Sequence, residues 1–210
     1  MFAIAGKRLS KTLKKKDLNK ISAFLYPMVK KYTYLKAFLN DPSKQVNLQE
    51  FENMFKKPHQ TVKRHLQVFV KDDVLTEMRM GKFMFYKLNR ENPLHLNYLS
   101  ICEKELTFTF LKNTLFKRLH ETLSPFFGTS AMLIFGSAAV SKTFNDIDLL
   151  VLGDDKKIPA TLKDFEKIYA KKIHLVQTKE KDLTPSFKAE IMKKHIILNN
   201  HDYFMRILYG

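Results

Sequence analysis

The stretch AMLIFGSAAVSKTFNDIDLLVL, residues 131–152, constrains this chain more than any other. Ala131 to Phe135 reads as a short apolar strand that ends in Gly136-Ser137. The chain has only six glycines, and one at a strand end marks an unusual turn or the close approach of another group. Ala138 to Thr143 reads as a short helix. Asp146-Ile147-Asp148 opens a second strand that continues through Leu149, Leu150, Val151 and Leu152. Alternate strand residues share a face, so Asp146 and Asp148 project together while Ile147 and Leu149 point to the other side. Two ionised carboxylates side by side repel each other, and a divalent cation cancels that repulsion. Mg²⁺ is held by one or two carboxylates, with waters and substrate phosphates completing its shell. A Gly-Ser turn at a helix start offers backbone N–H groups and a hydroxyl to phosphate. The pattern predicts a site for a metal ion and a triphosphate; the plainer alternative is an acidic Asx turn before a strand.

Charge adds a second constraint. The 210 residues carry 37 Lys and Arg against 21 Asp and Glu, a net charge of +16. A positive field of this size attracts polyanions and speeds nucleic-acid encounter; the alternative is a lysine-rich solvated surface. Lys7 to Lys20 holds seven basic residues and one acidic residue, and residues 1–23 read as an arm that contacts phosphates. No apolar run approaches the ~20 residues that span a bilayer, and no secretory signal pattern opens the chain. A soluble, cytoplasmic protein with no membrane partner is expected. Cys102 is the single cysteine, which excludes an internal disulfide, and no histidine joins it at zinc spacing; it reads as a small buried residue.

In the first half, Tyr32 to Leu39 reads as the end of an amphipathic helix stopped at Asn40-Asp41-Pro42. Val46 to Phe55 has helical periodicity, with Asn47 as N-cap and Glu50 three residues on. Pro58 suits the first turn of a further helix, in which Val62, Leu66 and Phe69 face inward and His59, Gln60, Lys63, Arg64 and Gln67 face out. VLTEMRMGKFMFYKLN alternates around Gly81 and reads as a hairpin. Met78, Met80 and Met84 are expected to pack or to form a dimer surface.

This order, with HQTVKRHLQVFVKDDVLTEMRMGKFMFYKLN at its centre, resembles the winged helix-turn-helix domain of ArsR-like transcriptional regulators over about residues 24–90, and residues 24–92 are expected to form that domain. The resemblance implies that the second helix of the pair enters a DNA major groove and that the wing follows the backbone. His59, Gln60, Lys63 and Arg64 would then face DNA or RNA, Arg79 and Lys82 would touch phosphates, and Thr61 could do either. Winged helices also serve as protein-interaction and dimerisation modules, so contact with a protein partner, a homodimer among the possibilities, is the other outcome. The metal-sensing cysteines of some ArsR-like proteins have no counterpart here.

Residues 93–103 are expected to form a linker helix, and residues 104–210 a second domain. FGSAAVSKTFNDIDLLV resembles the centre of minimal nucleotidyltransferases, members of the DNA polymerase beta superfamily. The resemblance implies that Gly136 and Ser137 bind the triphosphate, and that Asp146 and Asp148 are the catalytic pair and hold Mg²⁺. The sequence departs from that pattern in three places. Eight residues separate Ser137 from Asp146, a shorter loop than usual. The loop's second glycine is missing, with Val140, Ser141 and Lys142 in its place. The strand expected at Lys171 to Thr178 offers His174 where a third carboxylate belongs; a histidine is a poor Mg²⁺ ligand, so His174 reads as a general base or a packed or half-exposed residue. His195 and His201 are too isolated to suggest a metal site.

The predicted class is α+β: an N-terminal winged helix-turn-helix followed by a small α/β nucleotidyltransferase-like domain with a mixed sheet. The first functional expectation is transfer of a nucleoside monophosphate from an NTP to a hydroxyl. The resemblance makes a protein acceptor plausible, since related enzymes act as antitoxins on HEPN-type ribonuclease toxins. The second is a DNA-binding regulator whose nucleotidyltransferase-like domain has lost activity. The third is an interaction module.

Overall fold

The computed structural model describes residues 32–210; the basic arm expected over 1–23, with Lys7–Lys20, lies outside them. Within this span the fold is α+β, with helices and two sheets, one of them mixed.

Asn47 sets the first boundary. Its extended backbone closes a three-residue strand, β1 (Gln45–Asn47), and its side chain caps helix α1 (Leu48–Phe55) by accepting from the Glu50 amide at 2.9 Å. Asn47 Nδ2 in turn donates to Glu50 Oε1 at 3.0 Å. Such a reciprocal cap is worth about 1 kcal/mol. Val46, expected in the helix, belongs instead to β1 and is fully buried. Tyr32 to Leu39, expected as an α-helical end, tightens into a 3-10 helix over Thr33–Phe38.

Pro58 precedes helix α2 (His59–Lys71), whose Val62, Leu66 and Phe69 are fully buried; each contributes about 1.5–3 kcal/mol by leaving water. Strands β2 (Leu75–Met80) and β3 (Phe83–Leu88) form the hairpin. Its two-residue turn uses Gly81 at φ 59°, a left-handed conformation that favours glycine. The first sheet has the order β1-β3-β2 and is antiparallel. Met78 and Met80 do not pack into the core: each is 48% exposed.

Helix α3 (His95–Phe110) follows. Residues 103 and 104, at which the sequence reading divides linker from second domain, are consecutive within it. Leu99 and Cys102 of this helix are fully buried in a core that also holds Phe38, Phe51, Leu66, Leu133, Leu150 and Phe204, so one hydrophobic cluster runs through both sheets' surroundings.

After helix α4 (Thr114–Leu123) come β4 (Ala131–Phe135), a single helical turn α5 (Ser137–Val140), β5 (Asp146–Leu152), α6 (Ile158–Tyr169), β6 (Lys172–Thr178), α7 (Pro185–Lys193), β7 (His195–Ile197) and α8 (His201–Tyr209). The second sheet has the order β6-β5-β4-β7. β5 and β6 are parallel, joined through α6 as parallel neighbours require, and the other pairs are antiparallel. Every residue of β4 is buried. Met132 and Ile134, with Ile147, Leu149 and Val151, face α4 and α6; Leu133, Phe135 and Leu150 face the cluster shared with α3 and α8. By strand alternation, Asp146 and Asp148 stand on this second face, at the edge where the buried part of β5 begins.

Candidate metal centre and basic groove

Burial on both sides explains why the start of β5 carries the only acidic residues of that strand. Beyond Asp148 the side chains from Leu149 to Leu152 are buried, and a carboxylate there would lose its hydration. At the strand's open end Asp146 and Asp148 keep 33% and 26% of their side-chain surface. The parallel register sets Asp148 beside His174 of β6. His174 is half-exposed, as the sequence allowed, and its ring is turned to both carboxylates: Nδ1 lies 3.3 Å from Asp146 Oδ2 and 3.4 Å from Asp148 Oδ1. One ligand atom from each of the three residues lies within 4.8 Å of the others. These residues could hold a metal ion.

Gly136 makes the arrangement sterically feasible. Its φ of 71° is a glycine conformation, and a Cβ at this position would overlap Asp148 Oδ2. Phe135 is the cross-strand partner of both Asp148 and His195, and the Gly136 amide donates to Lys194 O at 3.1 Å. Pairing on both sides therefore fixes the Gly-Ser turn against the carboxylate. The expected helix over 138–143 is shorter, a four-residue turn opened by Ser137. Ser137 and Asp146 share a cleft of about 660 Å³ with Asn113, Lys142, Asn145 and Lys171; Asp148 and His174 are not part of its lining. Lys171 is anchored there by donating to Phe144 O at 3.2 Å and by lying 4.9 Å over the Phe144 ring. Sequence reasoning missed both lysines as members of this cleft. Lys142 lies in the short loop between Ser137 and Asp146, whereas Lys171 is brought in by the pairing of β6 with β5.

The residues expected at a nucleic-acid surface divide into two groups. His59, Lys63, Arg79 and Lys82 line one groove of about 710 Å³ between the helix pair and the hairpin; Gln60 and Arg64 are exposed but outside it. Thr61 is half-buried. The groove also contains Glu52 and Glu77. Glu52 Oε1 meets His59 Nδ1 at 2.7 Å, and Gln67 Nε2 donates to Glu77 Oε2 at 2.6 Å. Arg79 Nε donates to Gly81 O at 3.2 Å, and Lys82 lies 5.4 Å over the Phe83 ring.

A further histidine–carboxylate pair, not foreseen from sequence, is buried. His195 Nε2 lies 3.1 Å from Glu103 Oε1, with 2% and 1% of the two side chains exposed. His195 Nδ1 reaches Ile191 O at 3.0 Å. A backbone carbonyl only accepts, so Nδ1 donates to Ile191 O, and protonation of the ring would let Nε2 donate to Glu103 as well. Burial alone would lower its pKa, but the hydrogen bond and charge of Glu103 outweigh burial and raise it. Tyr209 donates to Leu39 O at 2.6 Å beside this pair, and its phenol is held well above its ordinary pKa by burial and by Glu103. His201 behaves oppositely: burial pushes it down to about 4, and Nε2 meets Thr107 Oγ1 at 2.9 Å.

Among the described residues, no helix is long and apolar enough to cross a membrane. Comparison with protein-family models, with curated proteins and with solved structures returned no match.

Proposed function

We propose that this chain is a nucleotidyltransferase-like protein that binds a divalent cation and a nucleoside triphosphate at the open end of β5, and that its helix pair and hairpin act as a winged helix on nucleic acid. The observation that carries the reading is the convergence of Asp146, Asp148 and His174 donor atoms within 4.8 Å, beside a Gly-Ser turn whose glycine lacks the Cβ that would overlap Asp148 Oδ2. The donor set suits a divalent cation, which when bound would neutralise phosphate charge and orient the α-phosphate. Asp146 and Asp148 would hold it. Ser137 would donate its hydroxyl to the phosphates, and Lys142 and Lys171 would add positive charge along the same cleft. The reaction joins the acceptor oxygen to the α-phosphorus, breaks the bond to the bridging oxygen and releases pyrophosphate; the hydroxyl proton passes to solvent or a base.

The test is transfer of label from α-labelled ATP, CTP, GTP or UTP to the protein itself, to RNA or to a co-purifying partner such as a toxin. Label that disappears in Asp146→Ala and Asp148→Ala supports the proposal. A second reading, a DNA-binding regulator with an inactive transferase-like domain, is favoured by one observation: the strand position beside Asp148 holds His174, not a carboxylate. Salt-sensitive duplex binding without label transfer would select it.

A further inference from the structure

We infer that the centre formed by Asp146, Asp148 and His174 takes a first-row transition cation of the Zn²⁺ or Co²⁺ kind in preference to the Mg²⁺ expected from the two aspartates. The inference rests on reading these residues as a metal centre and deepens that reading by naming the cation.

Three observations carry it. The first is donor chemistry: Mg²⁺ takes oxygen ligands, whereas imidazole suits Zn²⁺ and other transition cations. His174 is no bystander, because its register opposite Asp148 places Nδ1 near both carboxylates at once. The second is spacing. Oxygen ligands about 2.0–2.1 Å from an octahedral Mg²⁺ stand about 2.9 Å apart along a cis edge. Nitrogen and oxygen ligands about 2.0–2.1 Å from a tetrahedral Zn²⁺ stand about 3.3–3.4 Å apart. His174 Nδ1 is 3.3 Å and 3.4 Å from its two carboxylate oxygens, closer to the tetrahedral than to the octahedral edge, and all three donor atoms lie within 4.8 Å of one another. The third is the ligand count. Three protein ligands leave a fourth position for water or substrate, the arrangement of reactive rather than purely structural zinc. The three side chains are 26–48% exposed, so that position is reachable.

The experiment titrates the full-length chain calorimetrically with Zn²⁺, Co²⁺, Mn²⁺ and Mg²⁺, without nucleotide, and records the visible spectrum of the Co²⁺ form. Zn²⁺ and Co²⁺ are expected to bind at least tenfold more tightly than Mg²⁺, a margin of about 1.4 kcal/mol, with a tetrahedral Co²⁺ band. His174→Ala should erase the band and weaken Zn²⁺ by at least the roughly 10–100-fold that loss of even an outer-shell partner costs. His174→Asp should remove the preference over Mg²⁺, and Asp148→Asn should abolish tight Zn²⁺ binding; circular dichroism checks that each variant is folded. Mg²⁺ binding as tight as Zn²⁺, or Zn²⁺ binding indifferent to His174→Ala, overturns the inference. Label transfer with Mg²⁺ that survives His174→Ala would overturn it while leaving the proposed function standing. The expected Zn²⁺ binding with no label transfer would do the reverse.

Discussion

Two of the histidine–carboxylate clusters among the described residues differ in what surrounds them. His195 and Glu103 are sealed between β7, α3 and α8, one imidazole against one carboxyl group, with Tyr209 alongside. His174, Asp146 and Asp148 sit at a strand end in partial contact with water, one imidazole against two carboxylates. In the buried pair one ring meets one carboxyl group, whose second oxygen, Glu103 Oε2, is buried without a hydrogen-bond partner. The exposed trio has more acceptors than the ring can satisfy, which is what a cation site requires. The same residue types thus serve architecture where they are enclosed and offer chemistry where they are open.

The sharpest way to break this contrast is to remove Glu103. Glu103→Ala leaves the buried His195 ring without its carboxyl partner and should cost about 3–5 kcal/mol, lowering the thermal midpoint by roughly 6–20 °C in calorimetry. His174→Ala, by comparison, should stay within about 0.5 kcal/mol of the parent. Equal losses would mean the exposed trio is architectural as well. Next in size is the converse experiment. Asp146→Asn or Asp148→Asn should reduce label transfer by at least about 10²–10³-fold, the scale of several kcal/mol of lost charge stabilisation, while the melting midpoint holds or rises because a repulsion is relieved.

Titration sharpens the comparison further. The folded pKa of His201 is about 4 against an ordinary 6.5, so the unfolded chain takes up a proton first. Stability should fall as pH drops from about 6.5 to about 4, by on the order of 3 kcal/mol. For His195 the folded value is raised; its contribution is complete below about 6.5 and is lost as pH rises through the folded value. Denaturant midpoints measured against pH should therefore peak near 6.5, and a curve that keeps rising above neutrality would contradict the raised pKa of His195. The smallest effect concerns the groove: Lys63→Ala, Arg79→Ala or Lys82→Ala should each lower the salt slope of duplex binding by about one, whereas His174→Ala should leave it unchanged.

Some of this was legible along the chain because it is local. Asn47 with Glu50 announced a helix start, and Gly81 a hairpin turn. Asp-Ile-Asp announced two side chains on one face, because strand alternation needs no partner to be known. Val46 was misread because its periodicity suits helix and strand alike, and only pairing with Tyr86 of β3 decides for the strand. His174 was ambiguous for a similar reason: nothing within KKIHLVQT says which residue of which strand lies beside it.

What the sequence determined by itself was the set of short-range choices: caps, turns, the buried face of α2 and the paired carboxylates at the head of β5. Only the tertiary structure decided that β6 lies parallel to β5 with His174 beside Asp148, that Lys171 lines the same cleft as Ser137, and that Glu103 meets His195 across 92 positions of chain. The physical reason is range. Backbone geometry and capping act within a few residues, whereas strand order and register are set by how distant apolar faces pack together, and the polar groups at their edges are carried into place with them.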